Sequence, residues 1–263
     1  LSEEMPQRDR ISSRAVCAVC TASEVFSSAK VSISKNSPKP SNIHNSIWKL
    51  SKCQLPAVLC FEKIAFNVGY GASSLFRFLK AFEMYWHASG MKSLFEGEII
   101  YNGVKYIVSK DSCYGYSDKN WGSNFTTPWL WLSSNKTFDA ETNKQLFNTV
   151  FDIGGGKPKA FGITFKDKLL GAYYIEGKEY EFNFSKFAHP SKTCFSFDVE
   201  DGVCHWRVEQ SNKKAKIITT VTCLVEDMLF VNYEAPNGLK QHNKLYNGGN
   251  GKGTLEVFEK NKR

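Results

Sequence analysis

The sequence predicts an all-β protein built of antiparallel strands, as a sandwich or a barrel. Three observations carry this expectation. Short runs of β-branched and aromatic residues recur, with turn signals about every 8–12 residues. Phe (20), Tyr (11) and Trp (6) make up 14% of the chain, a load that suits strands. A single stretch reads as helix.

That stretch is Ser73–Phe82, where Leu75, Phe78, Leu79 and Phe82 fall on one stripe. Next, Gly97–Tyr101 and Val104–Val108 flank Asn102-Gly103, the preferred dipeptide of a type I′ hairpin. Tyr114–Trp121 reads as an extended strand. Glu179–Phe184 alternates strictly and puts Tyr180, Phe182 and Phe184 on one face. Asp201-Gly202 separates Cys194–Val199 from Val203–Val208, and Asn237-Gly238 separates Met228–Tyr233 from Leu239–Tyr246. Lys216–Leu224 is a further β-branched run. Gly154-Gly155-Gly156-Lys157-Pro158 reads as a connection between two β units.

The chain has 263 residues, room for one large β unit or two domains. No run of about 18 apolar residues occurs, so no spanning helix is expected. The formal net charge is +8, but the lysines are scattered and the densest cluster is Lys213, Lys214 and Lys216. No nucleic-acid-binding motif accompanies the charge, so no nucleic-acid partner is expected. The eight cysteines include one C-x-x-C, at Cys17 and Cys20, without a second pair at zinc-finger spacing. Reduced thiols and a cytoplasmic location are the expectation. No pair of histidines has metal-ligand spacing, so no metal is expected. Gly248–Thr254 imitates a phosphate loop, but Gly253 separates Lys252 from Thr254 where the motif needs them adjacent. No G-x-S-x-G elbow supports a hydrolase.

The chemistry concentrates in Tyr114–Trp121. As a strand it places Tyr114, Tyr116, Asp118 and Asn120 on one face, and Ser117, Lys119 and Trp121 on the other. Beside an apolar cavity, Asp118 is favoured as a neutral acid able to protonate a ligand. Aromatic faces then stabilise the resulting cation. The competing reading is a strand end where Asp118 caps a turn and Lys119 is solvated. Trp129 and Trp131 also share a face, either as core or as an aromatic pocket wall. His87 follows Trp86, and a lone histidine is more often structural than catalytic.

Several segments together resemble the tocopherol cyclase family: Ile64–Ala72, Ala81–Ala88, Tyr114–Gly122, Phe151–Gly156 and Asn247–Gly251. The most specific is Lys119-Asn-Trp-Gly122 followed by Pro128-Trp-Leu-Trp131. The resemblance covers about 61–258 and is closest to the bacterial branch. It implies two lipocalin-like antiparallel β-barrels. Residues 1–60 do not follow the family pattern, which implies a first barrel incomplete at its N-terminus. The expected division is therefore a poorly patterned or disordered segment at 1–60, part of a first barrel at 61–150, and a second barrel at 151–263.

The resemblance extends to carotenoid hydratases, which protonate an alkene in a hydrophobic tunnel. Carried over by position, it implies Asp118 as general acid, Tyr116 as its orienting partner and His87 as base. Tyr114, Trp86, Asn120, Trp121, Trp129 and Trp131 would contact substrate. The expected reaction is proton-initiated ring closure of a prenylated quinol or related isoprenoid alkene. Protonation and closure balance, so no cofactor is expected. The partner is a hydrophobic small molecule, and peripheral contact with a membrane goes with it. The alternative is a lipocalin-like binder of isoprenoids without turnover.

Overall fold

The computed structural model describes residues 9–13, 46–49, 57–63, 69–101, 104–111, 113–124, 128–186, 190–234 and 241–260. The chain opens with β1 (Asp9–Ser13), β2 (Ser46–Lys49), β3 (Ala57–Lys63) and β4 (Gly69–Tyr70). A short helix, α1 (Ser74–Phe78), precedes the long strand β5 (Met84–Tyr101). Then come β6 (Val104–Val108), β7 (Tyr114–Gly122), β8 (Trp129–Ser134), β9 (Thr137–Asp139), β10 (Gln145–Leu146) and β11 (Val150–Gly156). A small hairpin, β12 (Lys159–Ala160) and β13 (Ile163–Thr164), leads to β14 (Lys168–Ile175) and β15 (Lys178–Phe182). The chain continues through β16 (Lys192–Glu200), β17 (Val203–Ser211), β18 (Ala215–Leu224), β19 (Met228–Glu234), β20 (Gln241–Gly248) and β21 (Lys252–Glu259).

The described chain is nearly all β, and its strand pairs are antiparallel. Three sheets carry the architecture. The first has β5 at its centre, paired with β3, β4, β6 and β7, with β2 beyond β3. The second runs β15-β14-β11-β8. The third runs β10-β9-β1-β21-β18-β17-β16. Each is an open path, and among the described residues none closes on itself. The strands β1, β2 and most of β3 fall within the segment expected to be poorly patterned.

Side-chain alternation explains the layering. Phe151 and Ile153 of β11, with Leu169 and Tyr173 of β14, point one way. There they meet Val208, Ile217, Val221 and Leu255 of the third sheet in the main core. Tyr173 lies between Phe151 (ring centroids 6.0 Å apart) and Phe182 (5.7 Å), and its hydroxyl donates to the buried amide oxygen of Gln210 at 2.9 Å. The opposite face of β11 and β14 carries Val150, Asp152 and Ala172. Val150 and Ala172 meet Ala88 and Met91 of β5, with Trp86 and Tyr116 packed alongside. The second sheet is thus the middle layer, covered on both sides, which is why it is rich in long apolar runs and glycine.

The glycine run is strand, not a linker. Gly154, Gly155 and Gly156 complete β11, opposite Trp131, Leu130 and Trp129 of β8. Gly155 adopts φ +148°, a conformation that side chains rarely take. A Cβ on Gly156 would overlap the Pro128 carbonyl. Glycine therefore lets β8, β11 and β14 approach closely.

The predicted turns form where they fall on described residues. Asp201 and Gly202 have φ of 47° and 75°, the positive pair that a type I′ turn requires, between β16 and β17. Asn102-Gly103 and Asn237-Gly238 lie outside the described residues, although β5 pairs with β6 and β19 with β20 around them. The helix is shorter than its pattern, because Lys80 turns to φ +48° just after it. Its stripe is also not buried: Leu75, Phe78 and Leu79 are exposed, and Phe82 instead packs on Phe76 (5.1 Å).

Gly156→Ala is expected to destabilise the protein by about 1–3 kcal/mol, since backbone must move to admit the methyl group. Gly154→Ala is the control, because its Cβ would sit 3.7 Å from Trp131, an ordinary contact. Denaturant midpoints of the two variants provide the comparison.

Candidate functional site

Between the first and second sheets, the strand registers bring five polar-tipped side chains together. On β5, Trp86 lies opposite Asn120 of β7, and Ala88 opposite Asp118. Trp86 donates its indole N–H to Asp118 Oδ2 at 3.0 Å. Two residues back along β7, the Tyr116 hydroxyl donates to Asp152 Oδ2 from the middle sheet. Trp131 of β8 donates to the other oxygen, Asp152 Oδ1, at 2.7 Å. The Tyr116 and Trp131 rings lie 5.8 Å apart. Two carboxylates, one from each sheet, are thereby each held by an indole, and the tyrosine binds the one in the middle sheet.

Their environments differ. Asp152 is fully buried (0% exposed), and its oxygens receive the phenol and an indole. A buried carboxylate needs such donors, because desolvation otherwise costs several kcal/mol. Asp118 is half-buried. Burial pushes its pKa above the ordinary aspartate value, while hydrogen bonds from Trp86 and Tyr116 pull it back. Burial and the two neighbouring carboxylates push the Tyr116 hydroxyl well above its usual value, so it stays a proton donor. Trp86, Tyr116, Asp118 and Trp131 each keep partial exposure, whereas Asp152 keeps none.

The expected site residues divide by strand alternation. Trp86, Tyr116, Asp118 and Trp131 converge. Trp129 lies on the Trp131 face, opposite Gly156, and Asn120 continues the Asp118 row into solvent. Trp121 lies on the far face of β7, stacked on Tyr85 with centroids 5.5 Å apart. His87 follows the same alternation onto the Tyr85 side of β5, away from Asp118. Tyr114 ends its row beside Lys92, whose ammonium sits 4.4 Å from the ring centroid. Among the described residues, no group of three or more His, Cys, Asp or Glu side chains is arranged to hold a metal.

Sequence reasoning missed two residues. Asp152 lies in the Phe151–Gly156 motif, where three consecutive glycines read as a linker and conceal a strand facing Tyr116. Lys92 is fully buried, donates to the Phe147 carbonyl at 2.5 Å, and lies over the rings of Tyr114 and Phe147. Burial lowers its pKa to about 8, with Glu176 opposing the shift.

Three stacked β layers, with two carboxylates, a tyrosine and two indoles gathered between two of them, define an all-β protein with a polar, aromatic-flanked cluster between its sheets. The chain belongs to the tocopherol cyclase-like family, whose model matches residues 62–262. A curated relative from Oryza sativa subsp. japonica, named a probable chloroplastic tocopherol cyclase, is 27% identical over 132 residues. That alignment covers 50% of this chain and 25% of the relative, so the chain spans about a quarter of the relative's length. No solved structure matches the chain significantly.

Lys92 generates a pH prediction. Its folded pKa, about 8, lies below the ordinary 10.5, so the unfolded chain binds more protons between those values. Stability should therefore rise with pH from about 8 to 10, by on the order of 2 kcal/mol. Lys92→Met should flatten that rise in urea titrations at several pH values. An unchanged slope would show that the lysine is not the group responsible.

Proposed function

We propose that this chain catalyses proton-initiated ring closure of a prenylated quinol or a related isoprenoid alkene, with Asp118 as the general acid. The observation that carries this reading is a part-buried carboxylate, Asp118, held by the Trp86 indole beside the Tyr116–Asp152–Trp131 cluster, with its pKa raised by burial. Family membership supports the choice of a hydrophobic prenylated substrate.

In the proposed reaction, Asp118 delivers its proton to the less substituted alkene carbon. A tertiary cation develops beside the Trp86, Tyr116 and Trp131 rings, whose π-faces stabilise positive charge. The substrate's phenolic oxygen closes on that cation and forms the C–O bond. The phenolic proton then returns to the Asp118 carboxylate. One proton enters and one leaves, so no oxidant or reductant is consumed. Asp152 accepts hydrogen bonds from Tyr116 and Trp131 and fixes both rings, a positioning role. His87 has no part in this scheme, because alternation puts it on the other side of β5.

A second reading has an observation of its own. The Trp86, Tyr116 and Trp131 rings gathered at the site would equally hold a hydrophobic isoprenoid without turnover. Saturable quenching of tryptophan fluorescence with no product by mass spectrometry would single out that reading.

Asp118→Asn should lower the rate of chromanol formation by at least about 100-fold. Full turnover by this variant rules Asp118 out as the acid. Activity should fall as pH rises through the elevated Asp118 pKa, because the protonated form is the reactive one. Tyr116→Phe removes a hydrogen bond that lowers that pKa, so the alkaline limb of the pH profile should move upward. A limb that stays in place or moves down counts against the coupling.

A further inference from the structure

Six of the large apolar side chains left exposed fall in two short segments. Leu75, Phe78 and Leu79 belong to α1 and its exit, and Phe161, Ile163 and Phe165 to the β12–β13 hairpin and its exit. Phe78 is 83% exposed, Ile163 66% and Phe161 64%. The backbone fastens the segments side by side. The Phe161 N–H donates to the Ala81 carbonyl at 3.0 Å, the Glu83 N–H donates to the Lys159 carbonyl at 3.2 Å, and Phe82 bridges to Ala160. The two segments that carry these exposed apolar side chains are therefore neighbours in the fold.

The patch has a basic rim. Residues 71–83 and 156–168 contain Arg77, Lys80, Lys157, Lys159, Lys166 and Lys168, but only Glu83 and Asp167 as acids. Glu83 is already paired with Lys159 at 3.4 Å. A second group of exposed apolar side chains provides a contrast. Phe197, Val199, Leu224, Val225, Leu229 and Phe230 are also exposed. Their segments, 196–202 and 223–230, contain Asp198, Glu200, Asp201, Glu226 and Asp227 and no Lys or Arg. Apolar exposure is thus common to both patches, and the sign of the rim charge distinguishes them.

We infer that the α1 and β12–β13 face docks onto a bilayer surface carrying anionic lipid. The phenylalanine, leucine and isoleucine tips enter the boundary between headgroups and acyl chains, and the rim lysines meet the anionic headgroups. Fixed apolar tips on a short helix and a hairpin suit shallow insertion, since little backbone must order on binding. The acid-rimmed patch would be repelled by the same surface. The face also lies close to the site. Only Lys157 and Pro158 separate the hairpin from β11, and Asp152 stands four residues before the end of that strand, about 13 Å away at strand rise. A ligand dissolved in the bilayer would have a short way to travel. That last point rests on the proposed function, whereas docking itself does not.

The experiment is co-sedimentation of the full chain with sucrose-loaded vesicles. One set is phosphatidylcholine alone and the other contains about 30 mol% phosphatidylglycerol, a clearly anionic surface. The wild type should bind the anionic vesicles at least about tenfold better, and a fivefold rise in salt should erase most of that gain. Phe78→Ser with Phe161→Ser should lower partitioning to anionic vesicles by about tenfold or more. Lys157→Glu with Lys166→Glu should abolish the preference for anionic lipid while leaving the apolar tips intact. Phe197→Ser with Leu229→Ser, on the acid-rimmed patch, should bind as the wild type does. All of these side chains are exposed, and circular dichroism checks that each variant folds. No sedimentation of the wild type, full binding by both patch variants, or an equal loss in the control overturns the proposal. Asp118→Asn should sediment like the wild type whatever its turnover, so failure of docking and failure of the acid assignment are read separately.

Discussion

The carboxylate of Asp152 is the group around which the site is organised. It lies in a sheet covered on both faces, where an unsolvated charge has no water to turn to. Its donors come from two different sheets: Tyr116 from the outer layer, and Trp131 from a neighbouring strand of its own layer. Satisfying one buried acid therefore fixes the registration of β7 over β11 and the rotamers of two aromatic rings. One of those rings, Tyr116, shares a strand face with Asp118 two residues on. Breaking any member would leave a polar group stranded in the layer boundary, so the cluster resists partial assembly.

The two acids illustrate how placement separates roles that composition cannot. Asp152 is enclosed and anchored by a phenol and an indole. Asp118, one strand pair away, retains exposure and has its pKa raised by burial. Tyr116 lies between them and is held firmly in its protonated form. The phenol is committed to Asp152, while the Trp86 indole holds Asp118.

Much of this was legible in the alternation of Tyr114–Trp121. The period of two correctly grouped Tyr116 with Asp118 and sent Trp121 the other way, onto Tyr85. The same period applied to β5 separates Trp86 from His87. Asp152 was less visible because three consecutive glycines read as a break, while here they serve close strand contact at Gly156 and a positive φ at Gly155. Lys92 was invisible for another reason. A lysine in a strand is ordinarily solvated, and only its burial over Tyr114 and Phe147 marks it. The helix stripe raised the opposite difficulty: a correct amphipathic pattern did not reveal that its apolar side faces outward.

The pairing of β1 with β21 has a consequence for synthesis. Ile11 lies opposite Asp139 of β9 on one side and Leu255 of β21 on the other, so β1 is paired on both edges only once β21 has been made. The middle sheet, by contrast, is built from strands close in sequence, β8, β11, β14 and β15. During translation the middle layer can form from local hairpins while β1 still waits for its partner. Ribosome-bound intermediates would then expose the main-core side of the middle sheet, Phe151, Ile153 and Tyr173, until the last strands emerge. Such a surface is the kind that attracts chaperones or self-association, and long-range pairing of this sort slows the final step of folding.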